Sequence, residues 1–225
     1  MLEISNVKVY ELQESVIACR NAMRTEMPDY TQEEFEKSLD RAIQLANTPN
    51  GSGHQTFLSG IRVSFDIKYP NYISPELQRY HWLDIVTSSS KMHKLMNMDL
   101  DMCCNKYVTK SMVKEMQSHI RKYMAIKATK KENDIYIWEM RNGKFCTTCT
   151  KEKSLYFAFM RCISNCPQGI ELFMRCSTNY LQLKNIYHQR KNHKLIEDWQ
   201  IGFCKDFIEK LPYAQEFIIG KSKKI

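Results

Sequence analysis

The sequence predicts an α+β fold, dominated by helices and carrying a few non-adjacent strands, and three observations support it. Residues 61–69 alternate, with Ile61, Val63, Phe65, Ile67 and Tyr69 set against Arg62, Ser64, Asp66 and Lys68, which is the period of a half-buried strand. Thr31-Gln-Glu-Glu34 is a capping box, and Phe35, Leu39, Ala42, Ile43 and Ala46 follow it at helical spacing. Only 7 glycines and 6 prolines interrupt 225 residues, without repeat, low-complexity tract or linker-like stretch, so residues 1–225 read as a single domain.

Taken in order, residues 7–12 are β-like and run into residues 15–23, where a helix is expected to start. The capped helix should end near Thr48-Pro49-Asn50-Gly51, where breakers cluster. Pro70 stops the alternating strand. Ser74-Pro75 then offers an N-cap and a first-turn proline, predicting a helix over residues 75–86 that the Ser88-Ser89-Ser90 run breaks or bends. Further helices are expected over residues 108–126, 154–163, 180–190 and 195–211, the last stopped by Pro212. Residues 135–140 read as a strand entering an Asn142-Gly143 turn, and residues 170–176 read as extended.

Composition excludes several classes. At 43% hydrophobic and 26% charged the chain is an ordinary globular protein, and no apolar run is long enough to span a membrane. The opening is polar and acidic, unlike a secretory leader, so the nine cysteines are expected as reduced thiols in a cytoplasmic setting. The net charge of +8 favours anionic partners. Much of the surplus lies in Lys127-Ala-Thr-Lys130-Lys131, in residues 184–194 and in the tail, residues 221–225, which reads as a flexible, solvated terminus.

Three constellations are candidates for chemistry. Cys146-x2-Cys149 and Cys162-x3-Cys166 supply four thiols in two close pairs. Four such thiolates would suit a tetrahedral zinc ion, but the x3 spacing also fits two buried thiols on one helix face, and with that plainer reading no metal is expected. The segment from Gly53-His54 to Lys91 carries Arg79-Tyr80-His81 and Ser88-Ser89-Ser90-Lys91. Cations, hydroxyls and rings of this kind can hold phosphate, base edge and ring of a nucleotide, and they also suit an ordinary surface. Asn179 to Lys194 is rich in amides, rings and cations. Asn185 and Arg190 stand about 140° apart around a helix there, flanking a groove or simply facing solvent.

Together these segments resemble the flavin-dependent thymidylate synthases of the ThyX type. That family's signature is Arg-His-Arg, seven residues, then Ser; here Arg79-Tyr80-His81 is followed by residues 82–88 and Ser89. Gly53-His54 ahead of the strand, Ala18-Cys19-Arg20 upstream, and Pro167, Asn179, Asn185 and Arg190 downstream match the family's order, with His193 near its late His. The motif is degenerate: Tyr80 and His81 replace the family's His and second Arg, Thr87-Ser88 its Asn-Glu pair, and Lys91 its later Arg. Residues 97–153 carry none of its motifs.

The resemblance implies a small, mostly antiparallel sheet in a helix-rich ThyX-like domain, assembled as a homotetramer. It implies FAD as cofactor, dUMP as substrate, and NADPH and methylenetetrahydrofolate as co-substrates of a methyltransferase in nucleotide biosynthesis. By position, Arg79 and Arg190 would be catalytic. His54, Arg79, Tyr80, His81, Asn185 and His193 would hold the flavin. Ser88, Ser89, Ser90, Lys91 and Arg190 would bind the nucleotide. The alternative is a non-catalytic nucleotide-binding or interaction protein that keeps the fold. A basic nucleic-acid binder fits less well, because no helix-turn-helix, RNP or zinc-finger pattern occurs; neither nucleic acid nor a membrane is expected as a partner.

Overall fold

A computed structural model describes residues 2–49, 51–130, 134–148 and 150–220. Residues 221–225 of the basic tail, Lys131, Asn50 of the breaker and Cys149 of the first cysteine pair lie outside the described residues. In chain order the elements begin β1 (Glu3–Tyr10), α1 (Leu12–Ala18), α2 (Gln32–Ala46), β2 (Arg62–Pro70) and α3 (Ser74–Leu77). They continue with β3 (Asp84–Ser88), α4 (Lys91–Lys94), α5 (Leu100–Cys103), α6 (Lys110–Ala128) and β4 (Tyr136–Glu139). The last are β5 (Phe145–Thr148), α7 (Lys151–Ser164), β6 (Glu171–Asn179) and α8 (Tyr180–Arg190), followed by a π-helical segment, Ile196–Lys205. The result is the expected helix-rich α+β fold with a small sheet whose recorded pairings are antiparallel.

The chain divides into two compact units. The first comprises residues up to Tyr69, Ile73–Ser88 and those from Phe173 onward. Its four-stranded sheet has the order β1-β2-β6-β3. Alternation in β2 is obeyed: Ile61, Val63, Phe65, Ile67 and Tyr69 are buried and their neighbours face outward. β1 pairs antiparallel with β2 from Glu3↔Lys68 to Tyr10↔Arg62, with an irregularity after Ser5. Asn6 takes a left-handed conformation there (φ 49°). Arg175 braces the bulge, donating to the Asn6 carbonyl at 3.0 Å and to Asp66 Oδ1 at 3.1 Å. Thr31 caps α2 as the capping box predicts, its hydroxyl accepting from Glu34 N at 3.3 Å. Asn179 caps α8, accepting from Gln182 N at 2.9 Å. α8 is buried nearly all round, down to Lys184, whose ammonium donates to the last carbonyl of α2, on Ala46.

Three sequence expectations are corrected in this unit. Residues 75–86 do not form a helix: α3 is four residues long, and residues 84–88 form the edge strand β3, paired from Asp84↔Ser177 to Ser88↔Met174. The β-branched run Ile85-Val86-Thr87 suits a ladder better than a helix. Ser74 is not the cap, because the 3₁₀ turn Asn71–Ile73 runs directly into α3. Past α8, residues 195–211 are a π-helical segment and then a 3₁₀ turn, Ile208–Lys210, in place of one α-helix.

The second unit comprises Pro70–Tyr72 and Ser89–Leu172. It packs α6 against α7 and adds the β4–β5 hairpin, with Trp138↔Cys146 at its centre. The Asn142-Gly143 turn forms as expected, with Gly143 at φ +73° and Met140 N donating to Lys144 O at 2.8 Å. Trp138 is buried against Ile126 and Ala158, and the Lys122 ammonium lies 3.9 Å from its ring.

Candidate functional site

The first unit holds a polar cluster and a cleft. The cluster grows from the turn between α3 and β3, which leaves Tyr80 buried, and from the C-terminal end of α8, which delivers Arg190 and, just beyond, His193. Glu76 of α3 and Trp199 of the π-helical segment complete it. Arg190 Nε donates to the Tyr80 hydroxyl at 2.6 Å, and Arg190 Nη1 lies 3.2 Å from Glu76 Oε2. The same Glu76 oxygen accepts from Trp199 Nε1 at 2.5 Å. His193 Nε2 stands 3.7 Å from Glu76 Oε1, while its Nδ1 accepts from Leu195 N at 3.2 Å. The Arg190 guanidinium lies 4.7 Å from the Trp199 ring.

Burial shapes the chemistry of this cluster. The side chains of Arg190, His193 and Glu76 are 15%, 23% and 24% exposed, so the cation and the carboxylate neutralise each other in a partly dry setting. Burial pushes the Tyr80 hydroxyl above its ordinary pKa and Arg190 opposes that rise; the hydroxyl stays protonated and serves as acceptor to Arg190.

The cleft lies between α1, α2 and the loop around His54. It encloses about 1180 Å³ and is edged by Arg20, Lys37, Arg41 and His54, with Asp40 as the one carboxylate among the described lining residues. Phe57 and Leu45 give it an apolar wall. Gly53 adopts φ +78°, and its carbonyl accepts from the Thr56 hydroxyl at 2.5 Å, which fixes the turn that presents His54. Gly60 lets α1 approach: a Cβ there would sit 2.5 Å from Ser15 Oγ. Cys19 also lines the cleft; burial raises its thiol pKa against the pull of Arg20, Arg41 and Arg24. Arg20 with His54 are thus brought to one place, as are Tyr80, Arg190 and His193.

Other candidates stand elsewhere. Arg79 and His81 are exposed on the turn that carries Tyr80, with His81 against the Trp82 ring at 5.1 Å; this turn replaces the helix expected to bear them. Asn185 is half-buried on α8. Ser88 ends the edge strand β3 in the first unit, whereas Ser89, Ser90 and Lys91 belong to the second. There Ser90 caps α4, accepting from His93 N at 3.4 Å. Cys146 sits on β5, and Cys162 and Cys166 pack with Cys103 and Cys104 in an apolar core around Leu95 and Leu100. Among the described residues no group of three or more His, Cys, Asp or Glu is placed to hold a metal ion.

Sequence reasoning missed Glu76 and Trp199. Each has an ordinary local explanation, Glu76 as a first-turn acid beside Pro75 and Trp199 as a core ring. Only the tertiary contact, 123 residues apart in sequence, marks them as part of the cluster.

No protein-family model matches the chain, and no curated protein sequence matches it. Solved structures do. One is the flavin-dependent thymidylate synthase ThyX from Helicobacter pylori, complexed with FAD and dUMP, with a TM-score of 0.58 at 14% identity over 96% of this chain and 97% of that one. A second structure of Helicobacter pylori ThyX with FAD and dUMP gives 0.56 at 14% identity, over 97% of each chain. At that identity the likeness is one of fold, and this chain has a ThyX-like fold over nearly its whole length.

Proposed function

We propose that this chain is a divergent, FAD-dependent thymidylate synthase-like enzyme that methylates dUMP or a related pyrimidine nucleotide. The observation that carries this reading is the cleft of about 1180 Å³ that gathers Arg20 and His54, set in a ThyX-like fold. Its residues fit FAD. Arg20, Lys37 and Arg41 suit a pyrophosphate, Phe57 and Leu45 suit a ring, and the turn at Gly53 allows close backbone approach. His54 stands at the edge as a hydrogen-bonding partner for the ring system. When bound and reduced by NADPH, FAD supplies the hydride of the methylation, with methylenetetrahydrofolate as carbon donor.

The chain's own residues bind and orient. Arg190 suits the base. Its guanidinium already holds Glu76 and Tyr80, so a phosphate would have to displace a carboxylate, whereas a neutral base carbonyl can accept one of the remaining N–H groups. Tyr80 acts as a positioning residue for Arg190. Arg79, His81, Asn185 and His193 are further proposed flavin contacts, and Ser88, Ser89, Ser90 and Lys91 the proposed nucleotide-binding run. A homotetrameric, cytoplasmic enzyme is part of the same proposal.

The test is a spectroscopic titration of the purified protein with FAD, followed by assay of dUMP, methylenetetrahydrofolate and NADPH for dTMP. Saturable flavin binding and NADPH-dependent dTMP formation support the reading. A folded protein that binds no FAD overturns it and leaves a nucleotide-binding scaffold, which titration with dUMP alone would detect.

A further inference from the structure

The second unit holds a cleft of about 340 Å³ that the function proposed above does not use, lined by residues of α4, α6, α7 and the turn Leu95–Asn97. Met92, Met96, Met124 and Phe159 form its apolar walls, with Phe159 and Tyr123 tilted against each other at a centroid distance of 6.3 Å. Its remaining side chains are His93, Asn97, Tyr123 and Lys127. Among the described residues none of these four polar side chains has a hydrogen-bond or ion-pair partner, and no lining residue is acidic. Met92 and Met124 are 49% and 41% exposed, so the apolar wall faces solvent. The basic run that contains Lys127 and Lys130, which the sequence marks without explaining, reaches this edge.

We propose that this cleft binds a small planar aromatic anion, an aryl carboxylate or sulfonate of one or two fused rings. The volume sits at the lower end of ligand clefts, roughly 300–1,000 Å³, which limits the guest to about that size. Methionine thioethers and ring edges pack well against a flat aromatic face, and flexible methionines adapt to its outline. The Lys127 cation, unpaired among the described residues, meets the anionic group, and the imidazole, amide and phenol supply further hydrogen-bonding groups beside it. A neutral hydrocarbon would leave these donors unused, an aliphatic acid would forgo the packing of a flat ring on Phe159 and the methionines, and a cation would meet Lys127 with no carboxylate among the described lining residues. The proposal stands independently of any flavin chemistry.

The probe is 2-naphthoate, titrated calorimetrically into the full-length protein at about 0.15 M ionic strength, with 2-naphthalenemethanol as the neutral counterpart. For a ligand of this size a Kd between about 10 µM and 1 mM is expected. The alcohol should bind at least about 5-fold more weakly, and Lys127→Glu should weaken naphthoate by about 10-fold or more. Lys130→Glu, a charge reversal outside the lining, should change it by less than about 2-fold if the contact is local. Both lysines are exposed, so these variants should fold; circular dichroism checks this. Absence of saturable naphthoate binding overturns the proposal. So do equal affinities for naphthoate and the alcohol, or equal losses in the two lysine variants.

Discussion

Arg190 donates its Nε–H to the Tyr80 hydroxyl at 2.6 Å, joining two residues 110 positions apart and tying the turn before β3 to the end of α8. With Glu76 on its other side, the guanidinium is held from two directions in a partly buried site. The geometry makes Tyr80 a structural partner of Arg190, and it makes Glu76 the counter-charge on which the cluster depends.

Tyr80→Phe keeps the ring against Trp199 and removes only the acceptor. Hydrogen bonds to charged groups contribute about 1.5–3 kcal/mol, so a loss of that order is expected in urea denaturation. For a chain of this size that lowers Tm by roughly 3–12 °C. A change below about 0.5 kcal/mol would mean that Arg190 finds another acceptor and that Tyr80 does not hold it.

Glu76→Gln separates charge from shape. The amide oxygen can still accept from Trp199 Nε1, while Arg190 and His193 lose their shared carboxylate. A destabilisation of about 1–3 kcal/mol is expected, between exposed-pair and buried-pair values. The freed guanidinium should also bind phosphate-bearing nucleotides more tightly, with a steeper salt dependence, as calorimetry at two ionic strengths would record. Unchanged dUMP affinity and salt dependence would mean that the freed guanidinium does not reach the nucleotide's phosphate.

What the sequence could and could not reveal follows from where each decision is made. β2 and α2 are legible because burial on one face writes its period into nearby residues. β3 is illegible because all five of its residues are exposed, which erases any alternation; pairing with β6 decides it. Arg20, His54, Arg190 and His193 are visible through order and spacing. Glu76 and Trp199 are not, since their roles exist only once α3 and the π-helical segment meet. The separation of Ser88 from Ser89, Ser90 and Lys91 likewise depends on a unit boundary that no composition change marks.

The cleft beside α1 and α2 makes a prediction about charge. Arg41→Ala and Arg20→Ala should each weaken FAD binding by about 10-fold or more, the scale of one charge-assisted contact. His54→Ala should act without changing the salt dependence, because it removes a contact and no fixed phosphate partner. Fluorescence titration of the flavin at two salt concentrations distinguishes these. If the arginine variants bind as the parent does, the pyrophosphate does not lie on this edge.

Gly60 tests how closely α1 is seated. In Gly60→Ala the new methyl would stand 2.5 Å from Ser15 Oγ and 3.2 Å from Phe57 O, so the Ser15 hydroxyl must rotate away or α1 or the loop must move. Overpacking of this kind costs about 1–3 kcal/mol. Ser15→Ala removes the nearer atom and leaves Ser15 Cβ at 3.4 Å, an ordinary contact. The double variant should therefore recover at least half of the loss in a double-mutant cycle. Additive losses would show that the strain is borne by the Phe57 carbonyl instead.

Alkaline pH offers a test of the α8 core. The Tyr187 hydroxyl lies 3.0 Å from Glu209 Oε1, and burial together with that carboxylate pushes its pKa up to about 12. An unfolded tyrosine titrates near 10. The folded state therefore holds the proton more tightly, and the stability this contributes is fully present below about pH 10. It is lost as pH rises from there toward 12, because the unfolded chain gives up its proton first. Tyr187→Phe has no proton to lose and no hydroxyl to donate. It should be less stable than the parent at pH 8, and the difference should shrink as pH rises above about 10. Denaturant midpoints for both proteins at pH 8, 10 and 11 measure this, and subtracting one curve from the other removes every other group that titrates in the range. A gap that stays constant across the series would mean that Tyr187 ionises alike in the folded and unfolded chains, and that its bond to Glu209 contributes nothing that pH can remove.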